Sequence, residues 1–492
     1  MIFTFSGDDT REVKMQPVEF IIKEGDEHLT SHSGLALIGA LIERMELGAR
    51  IDAVTLSGCR EPKIPHSDIV KSMLGLLCMG KPDYDAIEAF RDVPFFEYSL
   101  GIGQCPSSPT LRQRLDVVNG AFDRIVKEES ARLIRKTAPG IGEVSTCKGN
   151  LAALDIDVSP FDNSKTKKEG VSRTYKGVDG YAPIFAYLGT EGYLVNAELR
   201  EGKQHSQNDT PMFLRESIRY LSACNAQAGA KMITDEGLLV RLDSGNDSLE
   251  NIEVCIEEGA NWLIKRNLRR EDVQEWLKIA QEKGQKETSR EGKTLWRGET
   301  YRTVEGFAAP LRIAFEVTER TTKDGQYLLV PEVEVDTYWT SLEDDPYQVV
   351  LLYQDHLSAV PRQAGGTCEQ FHSELKSDMD LERLPSEHFS TNSAILTLAL
   401  IAYNLLRLCG PVCVQRTGRQ ESLREDNGNL EKRPPQRKKA RRRRPRTVMQ
   451  DLIYMASRIT FHARRMYLSF GRHNPWVYVW QNIYRGFMVP VP

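Results

Sequence analysis

Apolar residues recur at helical spacing early in the chain, in LALIGALIERMEL (35–47) and IVKSMLGLLCMG (69–80), which predicts amphipathic helices. Ser108-Pro109-Thr110 before LRQRLD reads as a helix start, with Ser108 as the cap and Pro109 in the first turn. From Gly149 the pattern changes. LAALDIDVS, YAPIFAYLG and GYLVNAELR predict three strands, PMFLRESIRYLSACNAQAG a helix, LLVRLDSG a strand, SLENIEVCIEEG a helix and NWLIKRN a strand. That order predicts an α/β domain on a mixed sheet flanked by helices. Between 285 and 342, TLWRGETYRTV, APLRIAFEVTER and YLLVPEVEVDTYW predict a β-rich insertion, and helical spacing resumes in YQVVLLYQDH, CEQFHSELKSD and SAILTLALIAYNLLRL. Residues 415 to 447 are polar and poor in apolar side chains, as a solvated linker would be. Beyond them Leu452, Ala456, Ile459 and Ala463 fall on one face of a predicted helix, with Arg458, His462 and Arg465 on another.

Five units follow: a helical N-terminal domain (1–145), an α/β domain in two pieces (146–284 and 343–410), the β-rich insertion (285–342), a basic flexible linker (411–447) and a basic helical C-terminal segment (448–492).

Acidic residues stand out against this pattern. In LDIDV the period of two puts Leu154, Ile156 and Val158 on one face and Asp155 and Asp157 on the other, and two acids on a buried strand are costly unless paired or metal-bound. Asp243 ends LLVRLD just before Ser244-Gly245, where a carboxylate projects into a cleft or, equally, caps the next helix. On the CEQFHSELK helix Glu369, His372 and Lys376 share a polar stripe opposite Cys368, Phe371 and Leu375. Glu374 competes with Glu369 but lies about 140° away, beside the apolar stripe, so Glu369 is preferred. Three carboxylates on one cleft would make a hard oxygen site suited to two Mg²⁺ or Mn²⁺ ions about 4 Å apart.

Charge changes the picture further. The net charge of −4 divides into +14 for residues 401–492, with 19 Lys+Arg against 5 Asp+Glu, and −18 for the first 400. A basic tail on an acidic body points to a polyanionic partner, nucleic acid first. The run from Lys432 to Arg446 holds ten positive residues and no negative one, and it reads either as a phosphate-binding segment or as a solvated basic linker. Nine cysteines without paired C-x-x-C spacing argue against a zinc site or a disulfide framework. With no apolar stretch of bilayer length expected and no secretory pattern at the N-terminus, the expected location is the cytoplasm, in association with the nucleoid.

LDIDVS, LLVRLDSG and CEQFHSELK, followed by Asn392 and the AYNLL segment, resemble the insertion-sequence transposases that carry a DDE catalytic triad, over roughly residues 145 to 410. The resemblance implies an RNase H-like fold with a β-strand insertion before the catalytic glutamate. Its first aspartate stands two residues before Ser or Thr, which selects Asp157, before Ser159, over Asp155. It assigns catalysis to Asp157, Asp243 and Glu369, all three binding metal, with Lys376 seven residues after the glutamate. The chain departs from the pattern at Arg362 and Gly365, where the family often has Tyr and Arg.

The implied activity is metal-dependent cleavage and strand transfer at the ends of an insertion sequence, a cut-and-paste transposition. The implied partners are double-stranded DNA, both terminal inverted repeats and target, and a second copy of the chain bound on that DNA. Candidate DNA contacts are Lys376, His372, Arg266, Trp339, Arg441, Arg442, Arg443, Arg444, Arg458 and Arg465, with Trp339 resembling the family's base-stacking tryptophan. Two other readings stand beside this one: an RNase H-like nuclease or resolvase without strand transfer, and a non-catalytic DNA-binding protein.

Overall fold

Strand alternation and helical stripes resolve into 16 strands and 14 α-helices in a computed structural model that describes residues 21–59, 61–138, 140–223, 237–290, 292–323, 326–357, 368–424 and 442–488. Strand β1 (Leu29–Thr30) precedes six helices: α1 (Leu35–Ile42), α2 (Leu47–Asp52), α3 (His66–Cys78), α4 (Pro94–Leu100), α5 (Ser108–Asp116) and α6 (Asp123–Thr137). The cap of α5 is one residue earlier than the sequence suggests. Ser107, not Ser108, accepts the Thr110 amide at 3.3 Å, because Ser108 already lies inside the first turn.

The central unit contains β2 (Glu143–Thr146), β3 (Gly149–Val158), β4 (Phe161–Asp162), β5 (Ser172–Arg173), β6 (Asp179–Tyr181), β7 (Ile184–Leu188) and β8 (Tyr193–Glu198). It continues through α7 (Thr210–Ala223), β9 (Leu238–Leu242), α8 (Leu249–Glu257), β10 (Asn261–Lys265) and α9 (Val273–Lys283), the last of which the sequence reading missed. Strands β11 (Gln285–Arg290), β12 (Lys293–Arg302), β13 (Leu311–Lys323) and β14 (Gln326–Thr340) form the inserted region. They do not stand apart as a separate sheet. The order β11-β12-β13-β14-β10-β9-β3-β7-β8, with β2 also on β3, makes one ten-stranded mixed sheet. The join is antiparallel, Ile264 of β10 facing Trp339 of β14.

Helices α10 (Pro346–Leu357), α11 (Cys368–Ser373) and α12 (Phe389–Arg424) follow, a π-helical turn (Glu374–Asp378) continuing α11. Helix α12 extends well into the region read as linker. Contrary to expectation, its Phe389–Gly410 stretch is long and apolar enough to cross a bilayer, but 94% of its most apolar 18-residue window is buried inside the protein. It is apolar on all sides because α3, α6 and β8 pack around it, as a central core helix requires.

Last come α13 (Pro445–Val448), β15 (Ser457–His462), β16 (Arg465–Phe470) and α14 (Val477–Met488). The helix expected through Arg458, His462 and Arg465 is therefore a hairpin. Ala463 and Arg464 both adopt left-handed backbone, with φ of 48° and 61°, in the two-residue turn whose twist suits antiparallel strands. Period-two pairing wins because it turns Ile459, Met466, Leu468 and Phe470 toward the core together. β15 also pairs with β1, so the two ends of the described chain share a three-stranded sheet. Gly34 allows that closure, since a Cβ there would meet the Leu452 carbonyl oxygen at 2.1 Å.

One buried charge cluster binds α11, α12 and the basic tail. Glu374 is fully buried, paired with Arg407 and with Arg442 at 2.8 Å, and accepts the Tyr403 hydroxyl at 3.0 Å. Arg443 pairs with Asp451 and lies 4.4 Å over the Trp476 ring, while Arg444 reaches Asp378 at 3.0 Å. Removing one partner of such a pair strands the other in the core, so Glu374→Ala should lower unfolding stability by about 3–5 kcal/mol in a denaturant titration.

Candidate functional site

Parallel pairing of β3 with β9 is the basis of the site. Ala152, Ala153, Leu154, Asp155 and Ile156 face Leu238, Leu239, Val240, Arg241 and Leu242 in register. One step further, Asp157 and Asp243 reach the carboxyl ends of neighbouring strands on the same face. Two residues back on that face, Asp155 binds Arg241 through both carboxylate oxygens, at 2.6 and 2.7 Å. Arg241 also donates to the Leu352 carbonyl of α10 at 2.9 Å. Asp155 is thus committed to a buried bidentate pair, whereas the Asp157 side chain keeps 20% of its surface exposed.

Each aspartate is held by neighbours. Asp157 Oδ1 accepts the Val158 amide at 2.7 Å, and its Oδ2 lies 3.1 Å from His372 Nε2. His372 Nδ1 lies 3.1 Å from the buried Tyr187 hydroxyl. A neutral imidazole satisfies both contacts when Tyr187 donates to Nδ1 and Nε2–H donates to Asp157. Asp243 Oδ1 accepts from the Asn246 side chain at 2.7 Å, and the buried Asn246 carbonyl accepts from Asn251 Nδ2 at 2.8 Å. Asp243 begins the turn Ser244–Asn246 without a side-chain cap bond, so the capping alternative is not realised.

The two carboxylates act electrostatically on the same surroundings. Burial, followed by the charges of Asp157 and Asp243, raises the Tyr175 hydroxyl well above its usual range, and its O–H donates to the Val158 carbonyl at 3.0 Å. Burial chiefly, with Asp155, Asp157 and Asp243 adding to it, likewise drives up the thiol of Cys368 at the start of α11.

Glu369 is exposed in the first turn of α11, one residue after Cys368 and three before His372. Its competitor Glu374 is sealed among arginines. Lys376 is half-buried, 5.7 Å from the Phe161 ring centre. Burial pushes its ammonium down, while Glu382 and Asp157 pull it back up. Among the described residues no three His, Cys, Asp or Glu side chains stand close enough together to hold an ion. The structure therefore puts Asp157 and Asp243 at the ends of adjacent strands and brings His372 onto Asp157, with Glu369 three residues before His372 on α11.

The other expected DNA contacts are placed differently. Neither ring nitrogen of His372 is left for a phosphate. Trp339 is 5% exposed, its indole N–H donates to Asp247 at 3.0 Å, and the Arg266 guanidinium lies 4.5 Å from its ring centre. The ring that was to stack on a base already stacks on an arginine. Arg266 is itself buried and paired with Glu271 at 2.6 Å. Arg442, Arg443 and Arg444 are engaged with carboxylates, so the described part of the basic run serves packing. Arg441, Arg362 and Gly365 lie outside the described residues. Arg458 and Arg465 are exposed on the hairpin.

Tyr187, Asn246 and Arg241 were not foreseen. A signal existed for the last: an arginine inside the apolar strand LLVRL demands a buried carboxylate partner.

Sequence comparison gives the family. The profile described as Transposase DDE domain group 1 matches residues 14–424, and the chain belongs to that family. It is a DDE transposase, an enzyme of a family that uses divalent metal ions. No curated protein matches it. Among solved structures, the cryo-EM structure of a piggyBac transposase synaptic complex with hairpin DNA aligns over 87% of this chain and 80% of that one, with 11% identity and a TM-score of 0.32.

Glu271 joins β12 to the central sheet, accepting from Arg266 at 2.6 Å, Arg302 at 2.8 Å and the Trp276 indole at 2.9 Å. Burial opposes its ionisation, yet the hydrogen bonds from Arg302, Arg266 and Trp276 outweigh it and hold the carboxyl down to about 2. A depressed carboxyl contributes stability above its unfolded pKa of about 4.3 and loses it as pH falls toward 2. Glu271→Gln should therefore cost roughly 1–2 kcal/mol at pH 7, after allowance for solvent screening, and the difference should vanish near pH 2 in paired denaturation curves.

Proposed function

We propose that the chain binds the ends of a mobile DNA element and performs both strand cleavage and strand transfer at one site, with Asp157, Asp243 and Glu369 as the catalytic carboxylates. The observation that carries this reading is the parallel register of β3 on β9, which runs to Ile156–Leu242 and makes Asp157 and Asp243 the next residue of two adjacent central strands. Three antiparallel strands, β3, β7 and β8, joined through β3 to the parallel pair β9 and β10, support an RNase H-like core.

The donor chemistry fits divalent cations. Two hard oxygen ligands sit at adjacent strand ends, and Glu369, exposed at the start of α11, would supply the third. Two Mg²⁺ or Mn²⁺ ions bound there would polarise a phosphodiester and stabilise the attacking and leaving oxygens. The chain's own groups do the rest. His372, fixed by Tyr187, orients the Asp157 carboxylate, and Asn246 orients that of Asp243. Lys376 brings a cation toward the same carboxylates to bind a phosphate oxygen. Water at the scissile phosphate gives a nick with a 3′-hydroxyl, and that hydroxyl in turn attacks a target phosphate. Double-stranded DNA is the substrate, and two copies of the chain would hold the two ends.

The test is metal-dependent cleavage and joining of duplexes carrying the flanks of the protein's own gene. Asp157→Ala, Asp243→Ala and Glu369→Ala should each lower both products on the order of 10³-fold with melting temperature unchanged. Cleavage that persists in any of the three would remove that residue from the site, and cleavage without joined products would leave a nuclease.

A further inference from the structure

The C-terminal hairpin presents two unlike faces. Ile459, Met466, Leu468 and Phe470 pack against the core, Phe470 lying 5.0 Å from Trp480 of α14, so the ribbon is seated firmly on the body. The opposite face consists of three cross-strand pairs: Arg458 with Ser469, Thr460 with Tyr467, and His462 with Arg465. All but the half-buried Thr460 are exposed, and every one is basic, hydroxylic or both donor and acceptor. Arg464 extends the series at the tip of the turn.

Sequence reinforces this distribution, because after Asp451 no Asp or Glu occurs to residue 492, whereas five arginines do. Among the described residues Arg458, Arg464 and Arg465 form no ion pair with a carboxylate, unlike Arg442, Arg443 and Arg444. Asp26, Glu27 and Asp92 line a cleft at the base of the ribbon together with Arg458 and Thr460, whereas Arg464 and Arg465 at the tip lie outside it, which makes the tip the most attractive end for a polyanion.

We propose that the β15–β16 ribbon is a docking surface for duplex DNA, with Arg458, Arg464 and Arg465 on phosphates and Tyr467, Thr460, Ser469 and His462 hydrogen-bonding along a groove. Two strands about 4.8 Å apart, with their side chains, fit a major groove about 12 Å wide. The proposal rests on the reading of the chain as a DNA-transposing enzyme, and adds a contact surface away from the carboxylates. Because β1 pairs with β15, the surface is braced by the N-terminal end of the described chain as well.

Binding of the full chain to a random-sequence duplex, followed by fluorescence anisotropy across a salt series, tests it. Arg458→Ala/Arg464→Ala/Arg465→Ala should weaken binding about 10- to 100-fold near physiological salt and flatten the slope of log affinity against log salt by about 2–3. The exposed pair Arg464→Glu/Arg465→Glu carries the same test should the triple variant melt early. Affinity and slope unchanged from wild type would overturn the proposal. If wild type still cleaves DNA in that case, only the ribbon falls, whereas a wild type that neither binds nor cleaves removes the functional reading too. Loss of self-association with DNA binding intact would give this face to a second copy and equally overturn it.

Discussion

The bidentate contact between Asp155 and Arg241 governs the centre of this molecule. The two residues are register partners on parallel strands, buried from solvent, and joined by two short charge-assisted hydrogen bonds. A slip of β3 against β9 by one residue would turn either Asp155 or Arg241 to the wrong face and leave a charge unpaired in the core. The pair therefore specifies one register, and that register alone puts Asp157 level with Asp243. One aspartate spends its charge on alignment so that the next can face the cleft.

Much of this was legible in the sequence. The alternation in LDIDV sorted Asp155 and Asp157 onto one face, and the helical stripe in CEQFHSELK separated Glu369 from Glu374; the structure finds the latter deep among Arg407, Arg442 and Tyr403. Such inferences succeed because strand and helix periods are local properties. The fate of Trp339 was not legible, since whether a tryptophan at a strand end meets a base or an arginine depends on Arg266 and Asp247, more than seventy positions away. The arginines of the tail were misread for the same reason: a run of like charges looks solvated until the carboxylates that receive it, Glu374, Asp378 and Asp451, are placed in space. The hairpin failed differently. Ile459 and Ala463 fit a helical face as well as a strand, and the turn Ala463-Arg464 lacks the Asn-Gly or Asp-Gly signal that marks such connections.

Continuity of the sheet explains how an insertion and a catalytic centre coexist. Strand β14 uses its last residues twice, pairing Trp339 with Ile264 on one side and with Ile313 on the other. The four inserted strands thus extend the edge that β10 would otherwise expose, which removes an open row of backbone donors and acceptors. Asp247 and Glu271 then tie the ends of β9 and β10 to Trp339 and Arg302 of the insertion. Any displacement of the inserted strands would pull on the loop that follows Asp243.

The pairing of β1 with β15 also bears on how the chain is made. Leu29 and Thr30 lie opposite Arg458 and Ser457, and Ser33 meets Ser457 across 424 residues of sequence. At about 5–20 residues per second, a ribosome needs roughly 20–80 seconds to deliver the second strand after the first. Throughout that interval the exposed backbone of the earlier segment has no lasting partner, and the sheet cannot close until the hairpin has left the ribosome. A nascent chain stalled before the hairpin would keep the edge of β1 unpaired, an open row of backbone donors and acceptors that β15 covers in the finished enzyme.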